Sequence, residues 1–236
     1  MDPATAASAL EWWADAGIDV IVGEEPRNWL RAKTSEPAPP AAMPEPAAPA
    51  TALPDQLGLF QDHLATSDAL PHHAPGAPRV CPSGDPAAGL MIVIDMPASE
   101  DCAAGTLLSG DAGRLFDRML SAIGRDRSSM YLAALSCFRA PSGRLSGDAA
   151  RQCTDLALHH IALAKPRALL LFGDGAAHAM LGATVAQARG RWHDLETPAG
   201  AIRTLATLSP ELLLRQPALK AHAWADLQML IRELDG

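Results

Sequence analysis

Metal chemistry would fall to four cysteines and two histidine pairs: Cys81, Cys102, Cys137 and Cys153, with His72-His73 and His159-His160. A metal site needs thiolates and imidazoles at short, repeated spacings. Neither histidine pair has such a spacing from a cysteine. The histidines therefore read as ordinary polar residues and the cysteines as small apolar ones. Among the carboxylates, Asp95 stands out because it closes the apolar run Leu90-Met91-Ile92-Val93-Ile94. Taken alone, a carboxylate at a strand end is a solvated group or a helix cap. A third feature is the peptide Gln56-Leu57-Gly58-Leu59-Phe60. Such a peptide can lay Leu57, Leu59 and Phe60 into an apolar cleft while Gln56 hydrogen-bonds at its edge.

The elements that must position these residues follow from charge, proline and periodicity. The chain has 236 residues, 48% of them hydrophobic, and a formal charge of −8. That is enough apolar material for one sizeable core. Twelve of the 20 prolines fall between Pro37 and Pro86. Up to residue 87 there are 12 acidic and 4 basic residues, and from residue 88 there are 15 of each. Residues 1–34 read as an N-terminal helical segment. Leu10, Trp13 and Ile18 share a face there, and Trp12 and Trp29 add to its apolar mass. Residues 35–87 read as an extended linker, because proline removes donors and fixes φ. Residues 88–236 read as the compact domain.

In that domain strand and helix signals alternate. Strands are expected at 90–94, 130–135, 168–172 and 202–207. Helices are expected at 112–123, 148–164, after Gly173-Asp174-Gly175, and at 217–234. The fold class is α/β: a three-layer αβα arrangement around a mainly parallel four-stranded sheet. Ligands bind such sheets at the carboxyl ends of the strands. This points to residues 95–113, 134–144, 173–176 and 207–215. No run approaches the roughly 18 apolar residues of a membrane span, and Met1-Asp2-Pro3-Ala4 lacks a signal peptide's basic start. The expectation is a cytoplasmic, nucleoid-associated protein with no membrane partner.

Those strand ends carry a resemblance. Ile94-Asp95-Met96-Pro97-Ala98, Gly105 and Gly110-Asp111-Ala112-Gly113 resemble the first signature of the uracil-DNA glycosylase superfamily, closest to its iron–sulfur family 4. Lys165-Pro166-Arg167, then Gly173, Ala176, Ala177, Ala179, Leu181 and Gly182, continue the likeness. So do Arg189-Gly190-Arg191-Trp192-His193 and Ser209-Pro210-Glu211-Leu212-Leu213-Leu214-Arg215. The resemblance implies a pocket that holds a base taken out of the DNA stack. It implies acid–base work for Asp95, where the family has Glu. Ser209 stands at the family's histidine position, Leu108 at its stacking ring and Ala134 at its uracil-reading Asn, with Pro97 completing the pocket. Gly110, Gly113, Arg189, Arg191, Pro210 and Arg215 are the implied DNA contacts. Arg114, Arg139 and Arg144 join them as arginines able to meet phosphate.

Family 4 holds a 4Fe–4S cluster with four cysteines. Cys137 and Cys153 fall at two of those positions, while Cys81 and Cys102 do not, so the expectation is no cofactor. The peptide at 56–60 resembles the bacterial sliding-clamp-binding motif. The leading reading is a DNA repair or replication protein tethered to the clamp. Other repair or polymerase proteins are further partners, and the substituted pocket leaves base excision in question. One alternative is an active glycosylase that hydrolyses the N-glycosidic bond of uracil or another lesion with Asp95. The other is an inactive scaffold.

Overall fold

The computed structural model describes residues 53–235. The helical segment expected at 1–34, and the linker up to residue 52, lie outside the described residues. The described chain begins with helix α1 (Leu57–Thr66). Strand β1 (Ser83–Gly84) and strand β2 (Leu90–Ile94) follow, then helices α2 (Ser99–Ala104) and α3 (Gly110–Ala122). Next come β3 (Tyr131–Ala134), α4 (Gly147–Ala164), β4 (Ala168–Phe172), α5 (Gly173–Leu181) and α6 (Val185–Ala188). The chain closes with β5 (Trp192–Thr197), β6 (Gly200–Thr207), α7 (Pro210–Arg215) and α8 (Lys220–Asp235).

The sheet has six strands in the order β1-β3-β2-β4-β6-β5. Its four central strands are those expected from sequence, and all pair in parallel. Two antiparallel strands widen it. β1 pairs Ser83 with Leu132, and β5 forms a hairpin with β6 from Trp192↔Leu205 to Thr197↔Gly200.

Period-2 alternation sorts the central strands between two cores. Met91, Val93, Leu169 and Leu171 face one core, with Cys153, Ala157 and Ile161 of α4 and Ala176 and Ala177 of α5. Leu90, Ile92, Ile94, Leu170 and Phe172 face the other, with Phe116 and Leu120 of α3 and Leu227 and Leu230 of α8. Neighbours β2 and β4 therefore send their following helices to opposite faces, which opens a crevice at their carboxyl ends. None of the described helices is long and apolar enough to cross a membrane.

The linker expectation needs correction over its described part. No proline lies between Pro54 and Pro71, so a helix can form there. Phe60 and Leu64, one turn apart on α1, face inward and are buried. With Leu70, Cys137 and Phe138 they make a third core cluster.

The loop before α3 has a demanding geometry. Leu108 has φ of +51°, a left-handed conformation that a leucine side chain adopts at a cost. Arg127 holds it there, donating from Nη1 to the Leu107 carbonyl at 3.0 Å and from Nη2 to the Leu108 carbonyl at 2.6 Å. Gly113 lets the helix approach, since a Cβ there would lie 2.0 Å from the Leu108 carbonyl oxygen. Gly113→Ala is expected to cost about 1–3 kcal/mol, measured by urea unfolding. Wild-type stability in that variant would show that the loop yields freely.

Candidate functional site

The crevice is a cleft of about 1120 Å³. Asp95 follows directly from β2 and lines it, half-buried. Its Oδ1 accepts the Met96 N–H at 2.8 Å. The first turn of α5 presses against it: a Cβ on Gly175 would lie 2.5 Å from the Asp95 Cβ. Glycine is needed at 175 for that approach, which seats the carboxylate between two strand ends. Burial pushes the Asp95 carboxyl above its ordinary pKa, and the Met96 N–H and the Arg139 charge oppose that shift without cancelling it. A desolvated carboxylate of this kind is a fitting acceptor for a proton from water.

Ser209 forms the facing wall. It is the N-cap of α7, its Oγ accepting from Leu212 N at 3.4 Å, and it packs beside Gly173. Its hydroxyl can donate a hydrogen bond but carries no positive charge. Arg139, Arg144 and Arg215 all line the cleft. Arg139 is fixed by donating to the Pro97 carbonyl at 3.1 Å. The cleft also contains Arg151, Thr154, Asp155 and His178, which the sequence reading did not single out. Their signal is helical spacing: 151, 154 and 155 share one face of α4, and 178 follows Gly175 by one turn of α5. That spacing marks a face; only the fold shows that the face looks into the cleft. Arg139, Arg144, Arg151 and Arg215 are matched in number by Asp95, Asp155, Asp174 and Glu211.

Against this geometry, a family model described as "Uracil DNA glycosylase superfamily" matches residues 81–228, more than half of the chain. The chain belongs to the uracil DNA glycosylase superfamily. It is similar to the Type-4 uracil-DNA glycosylase of Pyrobaculum aerophilum, 25% identical over 180 residues that cover 73% of this chain and 92% of the relative. It is also similar to the Type-4 uracil-DNA glycosylase of Archaeoglobus fulgidus, 23% identical over 160 residues, or 65% and 80% of the two chains.

Several superfamily positions are not where the resemblance implied. Leu108 is 1% exposed and packs in the α3 core, not on the cleft wall. The left-handed turn directs its side chain inward. Ala134 is partly buried against that same core, and its successor Leu135 lines the cleft instead. Pro97 is buried and offers the site only its carbonyl. Local packing also requires glycine at both implied DNA contacts: Gly110 has a φ of +60° and a Cβ there would meet the Glu100 carboxylate, and one on Gly113 would meet the Leu108 carbonyl. Pro210 is the buried first residue of α7. Arg114 pairs with Asp111, while Arg191 is exposed and lies outside the cleft lining.

Arg189 is committed elsewhere. Its Nε and Nη2 donate to the two oxygens of the buried Asp226 at 3.1 and 3.0 Å, and Nη2 also reaches the His222 carbonyl at 2.7 Å. Thr207, at the end of β6, donates to the same Asp226 at 2.8 Å. This carboxylate ties α6, α8 and the strand that leads to Ser209. Asp226→Ala leaves the guanidinium without its partner and is expected to cost about 3 kcal/mol or more, read as a lowered midpoint in denaturant.

The clamp-motif residues are arranged differently from an extended ligand. Gln56 caps α1, Leu57 is half-buried, Leu59 is 52% exposed and Phe60 is fully buried. Of the histidines, His160 Nε2 meets the Tyr131 hydroxyl at 2.9 Å, and burial pulls its pKa down to about 4. His73 pairs with Asp68. Burial pushes the Cys137 thiol up to about 12.

The Asp95 shift has a consequence for stability. The folded protein holds this proton more tightly than the unfolded chain does. The contribution is therefore fully present below the ordinary carboxylate pKa and is lost as pH rises through the raised folded value. Asp95→Asn is expected to raise Tm at pH 7 and to leave it unchanged in acid below the ordinary carboxylate range. A Tm series over pH for both proteins checks this, and a lower Tm at pH 7 would contradict it.

Proposed function

We propose that this is a DNA repair protein whose cleft receives a nucleotide extruded from DNA, with Asp95 as the residue that activates water against the N-glycosidic bond. The observation that carries the reading is the desolvated carboxylate at the end of a central strand, inside an arginine-lined cleft. The names of the two relatives support base excision as the reaction class. In this reading Asp95 accepts the water proton, and Arg139, Arg144 and Arg215 engage phosphates around the opening. Ser209 donates a neutral hydrogen bond where the superfamily resemblance implies a histidine, a weaker aid to a departing base.

Leu135 is apolar, so it supplies no hydrogen bond to a base edge. With no hydrogen-bonding side chain at that position, edge reading would fall to Thr154, Asp155 or His178 elsewhere on the lining. That same observation favours a second reading, a DNA-bound scaffold without excision. A clamp tether through residues 56–60 would require Phe60 to leave its buried seat, so its burial weighs against that finer reading.

The deciding experiment measures base release from single-stranded and mismatched uracil-containing DNA by wild type and Asp95→Ala. The expected result is release by the wild type, reduced on the order of 10²–10⁴-fold in the variant. Equal background release for both, with DNA binding intact, would leave the scaffold reading standing.

A further inference from the structure

An iron–sulfur cluster of the family-4 kind needs four cysteine thiolates around one cavity. All four cysteines of this chain lie among the described residues. No three His, Cys, Asp or Glu side chains among those residues are grouped to hold a metal. Cys137 and Cys153, the two at positions the resemblance gives to ligands, line one small void beneath α1. Its volume is about 10 Å³, room for a single water at most. Phe60 and Leu64 form its other wall. A cluster cannot enter unless Phe60 leaves, so the residues present do not fit the group.

What stands there is a clasp made of protein. The Phe60 ring, with no exposed surface, packs 5.0 Å from the His159 ring and 5.2 Å from the His160 ring on α4. Gln61 donates to the Tyr131 hydroxyl of β3 at 2.8 Å. His159 Nε2 donates to the Pro54 carbonyl at 2.7 Å, fixing the chain just before the helix. On the far side Arg79 reaches back to the carbonyls of Leu64 and Ser67, at 2.6 and 2.8 Å, with its guanidinium 4.8 Å from the Phe138 ring centre. The segment from 54 to 80 is thus fastened to β3, to the loop at 137–138 and to α4. A buried cluster would join distant parts of a chain in the same way.

We infer that α1, seated through Phe60, replaces the iron–sulfur cluster as the staple of this domain. The domain then folds without iron, and Cys137 and Cys153 are sealed apolar thiols.

The test uses the full chain, produced with iron and sulfide supplied and purified without oxygen. The inference expects no absorbance band at about 400 nm and no bound iron. Stoichiometric iron that is lost in Cys137→Ser or Cys153→Ser would overturn it. In parallel, Phe60→Ala is expected to lower Tm on the order of 10 °C and to open Cys137 to a maleimide. Leu59→Ala, altering an exposed neighbour on the same helix, is expected to change neither. If Phe60→Ala does not fold while Leu59→Ala does, the staple is supported, and Phe60→Leu gives the thiol readout in a folded protein. Wild-type Tm and sealed thiols in both Phe60 variants would refute the staple.

Discussion

Strands β2 and β4 are hydrogen-bonded neighbours running in one direction, yet their chains leave toward opposite faces of the sheet. A helix cannot cover the gap between two chains that part in this way. The gap becomes the cleft, and whatever stands at the two strand ends is held by rigid elements on both sides. Asp95 at one end and Gly173-Asp174-Gly175 at the other are such residues. Their separation is fixed by backbone pairing, and the close seat of Gly175 against Asp95 follows from it. The carboxylate is half-buried because the scaffold brings two polar strand ends together within an apolar sheet.

The surrounding structure maintains this arrangement at some cost. Leu108 sits in a left-handed turn that two hydrogen bonds from Arg127 hold in place. Asp226 is buried with three donors from two side chains, Arg189 and Thr207, and it steadies the approach to Ser209. Such a buried pair contributes little net stability, yet removing one partner is costly because the other charge is left uncompensated. Both features act on segments that border the cleft without entering it.

The sequence made β2 and β4 legible because each is a continuous apolar run, the pattern suited to a strand buried on both faces, while β3 and β6 were read from shorter apolar stretches, Arg203, Thr204 and Thr207 interrupting the last. The two edge strands carried no such run. β1 is two exposed residues, and β5 alternates only weakly because one side faces solvent. Asp95, Ser209 and the arginines at 139, 144 and 215 were legible because strand ends define the cleft. Leu108 was misplaced because a position in a motif does not show the sign of φ, and that sign directs the side chain into the core. Arg189 was misplaced for a similar reason, since a guanidinium bonds carboxylate as readily as phosphate. Proline density concealed α1, whose ten residues contain none.

The equal numbers of arginines and acids lining the cleft bear on how quickly a polyanion reaches it. A surplus of positive charge would draw DNA in from a distance and speed encounter many-fold. Four arginines faced by four acids give the cleft lining no such surplus, and the chain as a whole carries a formal charge of −8. If the cleft receives DNA as proposed, encounter would then be set by diffusion and orientation, not by steering. For a protein acting as proposed, weak long-range attraction to duplex would favour brief visits to many sites over long stays at any one.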